Sequence, residues 1–192
     1  MIRAVIFDCF GVLVSCKLPQ IFTQYTQSDP QKWQQFQALC QQADLGIIPS
    51  AQFWEQIADL MGLSIDQCHH IVDAERHLNY DLIAYIRELK EQQFKIGLLS
   101  NAGKDIWEYV TPDLQELFDV RVISADLGRC KPDPEVFLEV CRRLNIGLDE
   151  AVLVDDSIDN CLGARASGLQ AVQYQSFAQT RGELADALVV LA

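Results

Sequence analysis

Arg3-Ala4-Val5-Ile6-Phe7-Asp8 is a short apolar run that ends on an acid. Phe94-Lys95-Ile96-Gly97-Leu98-Leu99-Ser100-Asn101 repeats the design with a polar end, and so does Ala151-Val152-Leu153-Val154-Asp155-Asp156. Weaker runs cover 120–124 and 170–174. None of them alternates apolar with polar residues. Each therefore reads as a strand buried on both faces, the habit of a parallel sheet. Helical periodicity fills the intervals. Leu82, Ile83, Tyr85, Ile86 and Leu89 share one stripe of 81–93, and Val136, Phe137, Val140 and Leu144 share one stripe of 134–144. The second of these starts well, with Pro134 behind Asp133. A third helix over 158–167 stops at Gly168, and a fourth is expected over 184–191. Strand and helix in alternation predict an α/β fold with right-handed crossovers.

Residues 17–78 break that alternation. Phe22 and Tyr25, then Trp33, Phe36 and Leu39, then Phe53, Trp54, Ile57 and Leu60 recur at helical spacing. Nine Gln between positions 20 and 42 supply the polar faces. The stretch reads as a helical insert after the first strand, with Tyr25, Trp33 and Trp54 in its core.

Composition narrows the function classes. The chain has 192 residues, 49% of them hydrophobic and 22% charged, which suits a globular domain with a real core. Its net charge is −12. That field repels nucleic acid and anionic membrane surfaces, so neither is an expected partner. An anionic substrate has to be held by a local cation or by aimed N–H groups. No apolar stretch reaches the ~20 residues of a membrane span. Leu13-Val14-Ser15-Cys16 has the look of a lipoprotein cleavage box, but Asp8 interrupts the preceding apolar run, so the segment reads as a buried strand. Seven Cys, without any Cys-x-x-Cys pair, read as reduced thiols of a cytoplasmic protein.

In an open parallel sheet, ligands gather beyond the carboxyl ends of the strands. Asp8, Ser100, Asn101, Asp155 and Asp156 all end such runs, and Lys131 lies in a Pro-rich loop just before a helix. Three carboxylates in one crevice repel each other unless a cation joins them, and Mg²⁺ suits an all-oxygen donor set. Lys131 adds positive charge, and loop amides after Asp8, Gly11 among them, can donate to phosphate oxygens. A carboxylate nucleophile, a metal and a lysine form a coherent phosphoryl-transfer site.

Four segments then carry a resemblance. Asp8-Cys9-Phe10-Gly11-Val12-Leu13, Leu98-Leu99-Ser100-Asn101, Lys131-Pro132-Asp133-Pro134-Glu135-Val136-Phe137 and Val154-Asp155-Asp156-Ser157-Ile158-Asp159-Asn160 resemble, in order, the four motifs of the haloacid dehalogenase superfamily. The likeness spans nearly the whole chain and is nearest to the sugar-phosphatase branch with a small helical cap, which includes glucose-1-phosphatase-like proteins. It implies a Rossmann-like core over 1–16 and 79–192 and an inserted helical cap over 17–78. It implies Asp8 as nucleophile and metal ligand. The main-chain carbonyl of Phe10 and the carboxylate of Asp156 would also bind the metal, with Asp155 binding directly or through water. Ser100 and Lys131 would hold the phosphoryl oxygens, and Asn101 and Phe10 would contact the substrate. The expected activity is Mg²⁺-dependent hydrolysis of a small phosphorylated metabolite through an aspartyl-phosphate.

Phe10 departs from the pattern. Most phosphatases of this superfamily carry an Asp there, which protonates the leaving group and then activates water. Such assistance is worth ~10²–10⁴ in rate. Three readings follow: a slow phosphatase suited to good leaving groups, a ligand-binding protein without turnover, or a 2-haloacid dehalogenase. The dehalogenase branch has an aromatic residue at this position. It lacks the acidic pair seen at Asp155 and Asp156, however, and uses a cap arginine, whereas the insert has no Arg before Arg76 at its far edge. His69, Asp73 and His77 recur at spacings of four and read as a solvated helix face. Cys9 is expected to point into the core.

Overall fold

The computed structural model describes residues 1–188. Five parallel strands, β1 (Ala4–Phe7), β2 (Lys95–Ser100), β3 (Val120–Ile123), β4 (Ala151–Asp155) and β5 (Gln170–Gln173), form one sheet in the order β3-β2-β1-β4-β5. Every residue of β1 and β4 is buried, as their unbroken apolar runs require. The two faces still sort by period two. Val5, Phe7, Val152 and Val154 enter one apolar cluster, while Ala4, Ile6, Ala151 and Leu153 enter the other.

Helices cover both faces. The first is packed by α5 (Tyr80–Glu91), through Leu82, Ile86 and Leu89, and by Leu184 of α10 (Phe177–Leu188). The second is packed by α8 (Pro134–Leu144), through Val136, Phe137 and Val140, and by Ala164 of α9 (Ile158–Ser167). The starts are written in the sequence. Asn79, Asp133 and Ser157 accept hydrogen bonds from the first-turn amides of α5, α8 and α9. This is a doubly wound, Rossmann-like α/β fold. The terminal helix begins at Phe177, seven residues before the expected start, and positions 189–191 of that expectation lie outside the described residues.

Four helices form the insert: α1 (Leu18–Tyr25), α2 (Pro30–Asp44), α3 (Ser50–Met61) and α4 (Ile65–Ala74). They bury their own cluster, with Phe22, Phe36, Phe53, Trp54, Ile57 and Cys68 at its centre. Tyr25 departs from expectation: it is 40% exposed, because α1 buries Ile21 and Phe22 and turns Tyr25 outward. His77 lies beyond the end of α4, so it does not share a helix face with His69 and Asp73. The chain leaves and re-enters the core side by side. Ser15 N–H donates to the His77 carbonyl at 2.9 Å, and Asn79 N–H donates to the Leu13 carbonyl at 2.9 Å. Two short helices, α6 (Pro112–Gln115) and α7 (Ser124–Leu127), flank β3. Among the described residues, no helix is long and apolar enough to cross a membrane.

Candidate active site

Strand order reverses between β1 and β4, and an open sheet makes its crevice where the order reverses. Asp8 follows β1 directly, and its N–H donates to the Val154 carbonyl at 2.9 Å, which ties it to β4. The residue is 7% exposed. Its Oδ1 accepts from Cys9 N–H at 2.7 Å and faces Lys131 Nζ at 3.0 Å. The loop then folds tightly, with Leu13 and Val14 N–H donating to the Cys9 carbonyl at 2.8 and 2.9 Å. Cys9 points into the core as expected, and burial pushes its thiol well up.

Gly11 plays a different part from the one expected. Its N–H donates to the Val14 carbonyl at 2.7 Å, so it is spent within the loop. Its φ of +84° suits glycine, and a Cβ there would collide with the Asp156 carboxylate. What Gly11 supplies is close approach between the β1 loop and Asp156.

Lys131 is 4% exposed and has four partner residues. Nζ donates to Asp155 Oδ2 at 2.6 Å and to the Leu99 carbonyl at 2.9 Å, besides its 3.0 Å approach to Asp8. Its main chain is clasped by Asn101: Lys131 N–H donates to Oδ1 at 2.8 Å, and Nδ2 donates to the Lys131 carbonyl at 3.0 Å. Asn101, expected to position the phosphoryl group, has its side-chain amide engaged by the Lys131 main chain. Burial pulls the Lys131 ammonium down, but Asp8 and Asp155 outweigh it and keep it charged.

Asp155 is fully buried, and its other oxygen accepts from Ser157 N–H and Asn160 Nδ2, both at 2.9 Å. Asp156, next along the chain, is exposed. Asp8, Asp155 and Asp156 bring one carboxylate oxygen each within 4.8 Å of one another, the one such grouping among the described residues. Three carboxylates face one ammonium. Burial, with Asp155 adding to it, pushes the Asp8 and Asp156 carboxyls above the usual range, Lys131 opposing in both cases. The donor set is all oxygen, and its excess of negative charge fits a hard divalent cation such as Mg²⁺. Ser100 closes the site. It is fully buried at the end of β2, and its Oγ has no hydrogen-bond partner among the described residues. A buried hydroxyl with nothing to bind suits a group donated by a ligand.

A cavity of about 660 Å³ opens from Lys131 and Phe10 toward the insert. Phe10 is half-buried, its ring 6.0 Å from that of Tyr109 in an edge-on pairing. The Arg76 guanidinium lies 3.6 Å from the Tyr109 ring centroid. Arg76 therefore reaches the cavity, although the sequence placed it only at the edge of the insert. Tyr109, Asp44 and Asp105 also line the cavity, and nothing in the sequence singles them out. Their neighbours carry no motif, and only packing of the insert against the core brings them together.

A family model described as haloacid dehalogenase-like hydrolase matches residues 2–168. A glyceraldehyde 3-phosphate phosphatase of Methanopyrus kandleri is 33% identical over 98 residues, 50% of this chain and 42% of the archaeal protein, so the match spans less than half of that relative. A sesquiterpene phosphatase of Aspergillus oryzae is 26% identical over 202 residues, covering 95% of this chain and 94% of the fungal one. A solved HAD family enzyme of Bacteroides thetaiotaomicron, in complex with magnesium and inorganic phosphate, superposes with a TM-score of 0.75 at 23% identity, covering 92% of this chain and 96% of that one.

Proposed function

This chain belongs to the haloacid dehalogenase-like hydrolase family, and on that footing we propose that it is a Mg²⁺-dependent phosphatase acting through an Asp8-phosphate. The observation that carries the reading is the buried Asp8–Lys131–Asp155 chain of contacts, at 3.0 and 2.6 Å, with Asp156 beside it at the reversal of strand order. The phosphatase names of the relatives and the magnesium and phosphate held by the Bacteroides enzyme support it.

Asp8, Asp155, Asp156 and the Phe10 carbonyl would hold the ion, which when bound supplies positive charge to the phosphoryl oxygens. Asp8 attacks phosphorus with its free oxygen while Lys131 and Ser100 hold the equatorial oxygens. The ester P–O bond breaks, and the departing oxygen takes its proton from water, since Phe10 has none to give. Water then attacks phosphorus, inorganic phosphate leaves and Asp8 is freed. Without an acid–base side chain at position 10, the second step is slow and limits turnover. Residues 17–78 act as the cap that closes over the crevice and excludes bulk water.

The test incubates the protein with acetyl phosphate or p-nitrophenyl phosphate, with and without Mg²⁺, beside Asp8→Asn. Metal-dependent release that falls ~10³-fold or more in the variant is the expected result for loss of a covalent nucleophile. Equal background in every sample would instead favour a ligand-binding protein without turnover. Arg76 in the cavity gives the dehalogenase reading an element it otherwise lacks, so halide release from a 2-haloacid without metal is assayed alongside. The acidic Asp156 facing Asp8 favours phosphate.

A further inference from the structure

The cavity beyond Lys131 has a definite chemistry. From the insert, Trp33, Phe36, Phe53, Trp54 and Val72 face it, and Phe10 and Tyr109 face it from the core. Its volume of about 660 Å³ lies within the ~300–1,000 Å³ range of pockets that hold whole small molecules. That is more room than a phosphate and a three-carbon body require.

Most of its polar groups are already engaged. Ser15 Oγ donates to the Glu75 carbonyl and accepts from His77 N–H, both at 2.8 Å. Asn101 is spent on Lys131. The uncharged polar groups left to face a ligand are the side chains of Gln37, Gln41 and Ser50 and the Trp33 indole N–H. A sugar brings several hydroxyls, each of which costs free energy when buried without a partner.

Charge points the same way. Two cations of the insert reach the cavity, and both are paired: Lys17 with Glu75 at 2.7 Å and Arg76 with Asp73 at 2.6 Å. Asp44 and Asp105 also face it. Asp105 takes long contacts, at 3.4 Å, from Trp54 Nε1 and from the Tyr109 hydroxyl. A second anionic group on the ligand would meet two carboxylates and no unpaired cation.

We infer that the substrate is a phosphate monoester whose carried group is uncharged and apolar, of aryl or prenyl type, seated among Trp33, Phe36, Phe53 and Trp54. The inference rests on the phosphatase reading and narrows it to a substrate class away from sugar phosphates. Apolar burial on this scale favours such a body by tenfold or more over a hydroxylated one of similar size.

The experiment uses the full chain with Mg²⁺ and follows acetyl phosphate hydrolysis, which needs no body in the cavity. Three competitors are titrated: 2-phenylethyl phosphate, glucose 6-phosphate and 2-(4-carboxyphenyl)ethyl phosphate. All three are esters of primary alcohols, so leaving-group chemistry does not separate them. The expected result is an inhibition constant for 2-phenylethyl phosphate at least tenfold below either of the others. Trp33→Gln should shrink its advantage over glucose 6-phosphate several-fold, and Asp44→Asn should shrink its advantage over the carboxylated ester. Each variant is read as a ratio on one preparation, so a loss of folded fraction cancels. Equal or tighter binding of glucose 6-phosphate overturns the inference and leaves the phosphatase standing. Absence of metal-dependent acetyl phosphate hydrolysis overturns both.

Discussion

Lys131 is the residue on which the site turns. A buried ammonium between two carboxylates stabilises only while all three are present, because each is costly alone. Lys131→Met should therefore destabilise the protein by ~3–5 kcal/mol. Urea unfolding would measure this, and millimolar Mg²⁺ should restore part of the loss by pairing with the same carboxylates. Phe10 is the second informative residue. Phe10→Asp places an acid where the family's phosphatases have one. Steady-state turnover of an alkyl phosphate and of p-nitrophenyl phosphate should both rise ~10²-fold or more, since both await hydrolysis of the same aspartyl-phosphate. A gain confined to the alkyl ester would contradict a rate-limiting second step. Asp44 gives a pH signature. Burial pushes its carboxyl up to about 6, with Lys131 lowering it and Asp105 raising it. The fold thus favours the neutral acid. That contribution is complete below about pH 4 and is lost as pH rises through about 6. Asp44→Asn should match the parent near pH 4 and exceed its stability at pH 8 by ~1–2 kcal/mol, allowing for a half-buried site. Urea titrations at the two pH values would show it.

At the scale of elements, the site depends on how closely helices and loops approach the sheet. A Cβ added at Gly97, in β2, would lie 3.2 Å from both Ile6 and Leu144. The side chain of Leu144 belongs to α8, which follows the Lys131 loop. Gly97→Ala should push α8 outward and cost ~1–3 kcal/mol, the usual result of overpacking, read from the thermal or urea midpoint. The insert is anchored differently. Beside the backbone ties of Ser15 and Asn79, the Ser15 hydroxyl bridges Glu75 and His77, and Asn79 Nδ2 donates to the Val12 carbonyl at 3.0 Å. Both strands of the connection are thereby held to the loop that carries Asp8 and Phe10. Movement of the insert would be felt at Asp8.

The whole molecule joins an α/β core to a helical unit with its own apolar cluster, and the cavity lies where they meet. A ligand bound only by the folded state raises stability by mass action. Mg²⁺ at a hundredfold excess over its dissociation constant should add ~2.7 kcal/mol, and Asp156→Asn should abolish most of that gain. Differential scanning calorimetry with and without Mg²⁺ checks it, and a gain undiminished in Asp156→Asn would place the ion elsewhere.

Much of this was legible in the chain. Unbroken apolar runs specify strands buried on both faces, the polar residue ending each run specifies the ligand-binding edge, and Asn79, Asp133 and Ser157 mark helix starts through local hydrogen bonds. Asp8, Ser100, Lys131, Asp155 and Asp156 were visible for that reason, since each stands beside its own element in sequence. Tertiary structure alone decided that Gly11 N–H is spent on Val14, that Asn101 clasps Lys131, and that Arg76, Tyr109, Asp44 and Asp105 share one cavity. Those relations join residues far apart in the chain, or depend on which of two possible partners a group meets. Periodicity records which face of an element is buried and carries no information about what it is buried against.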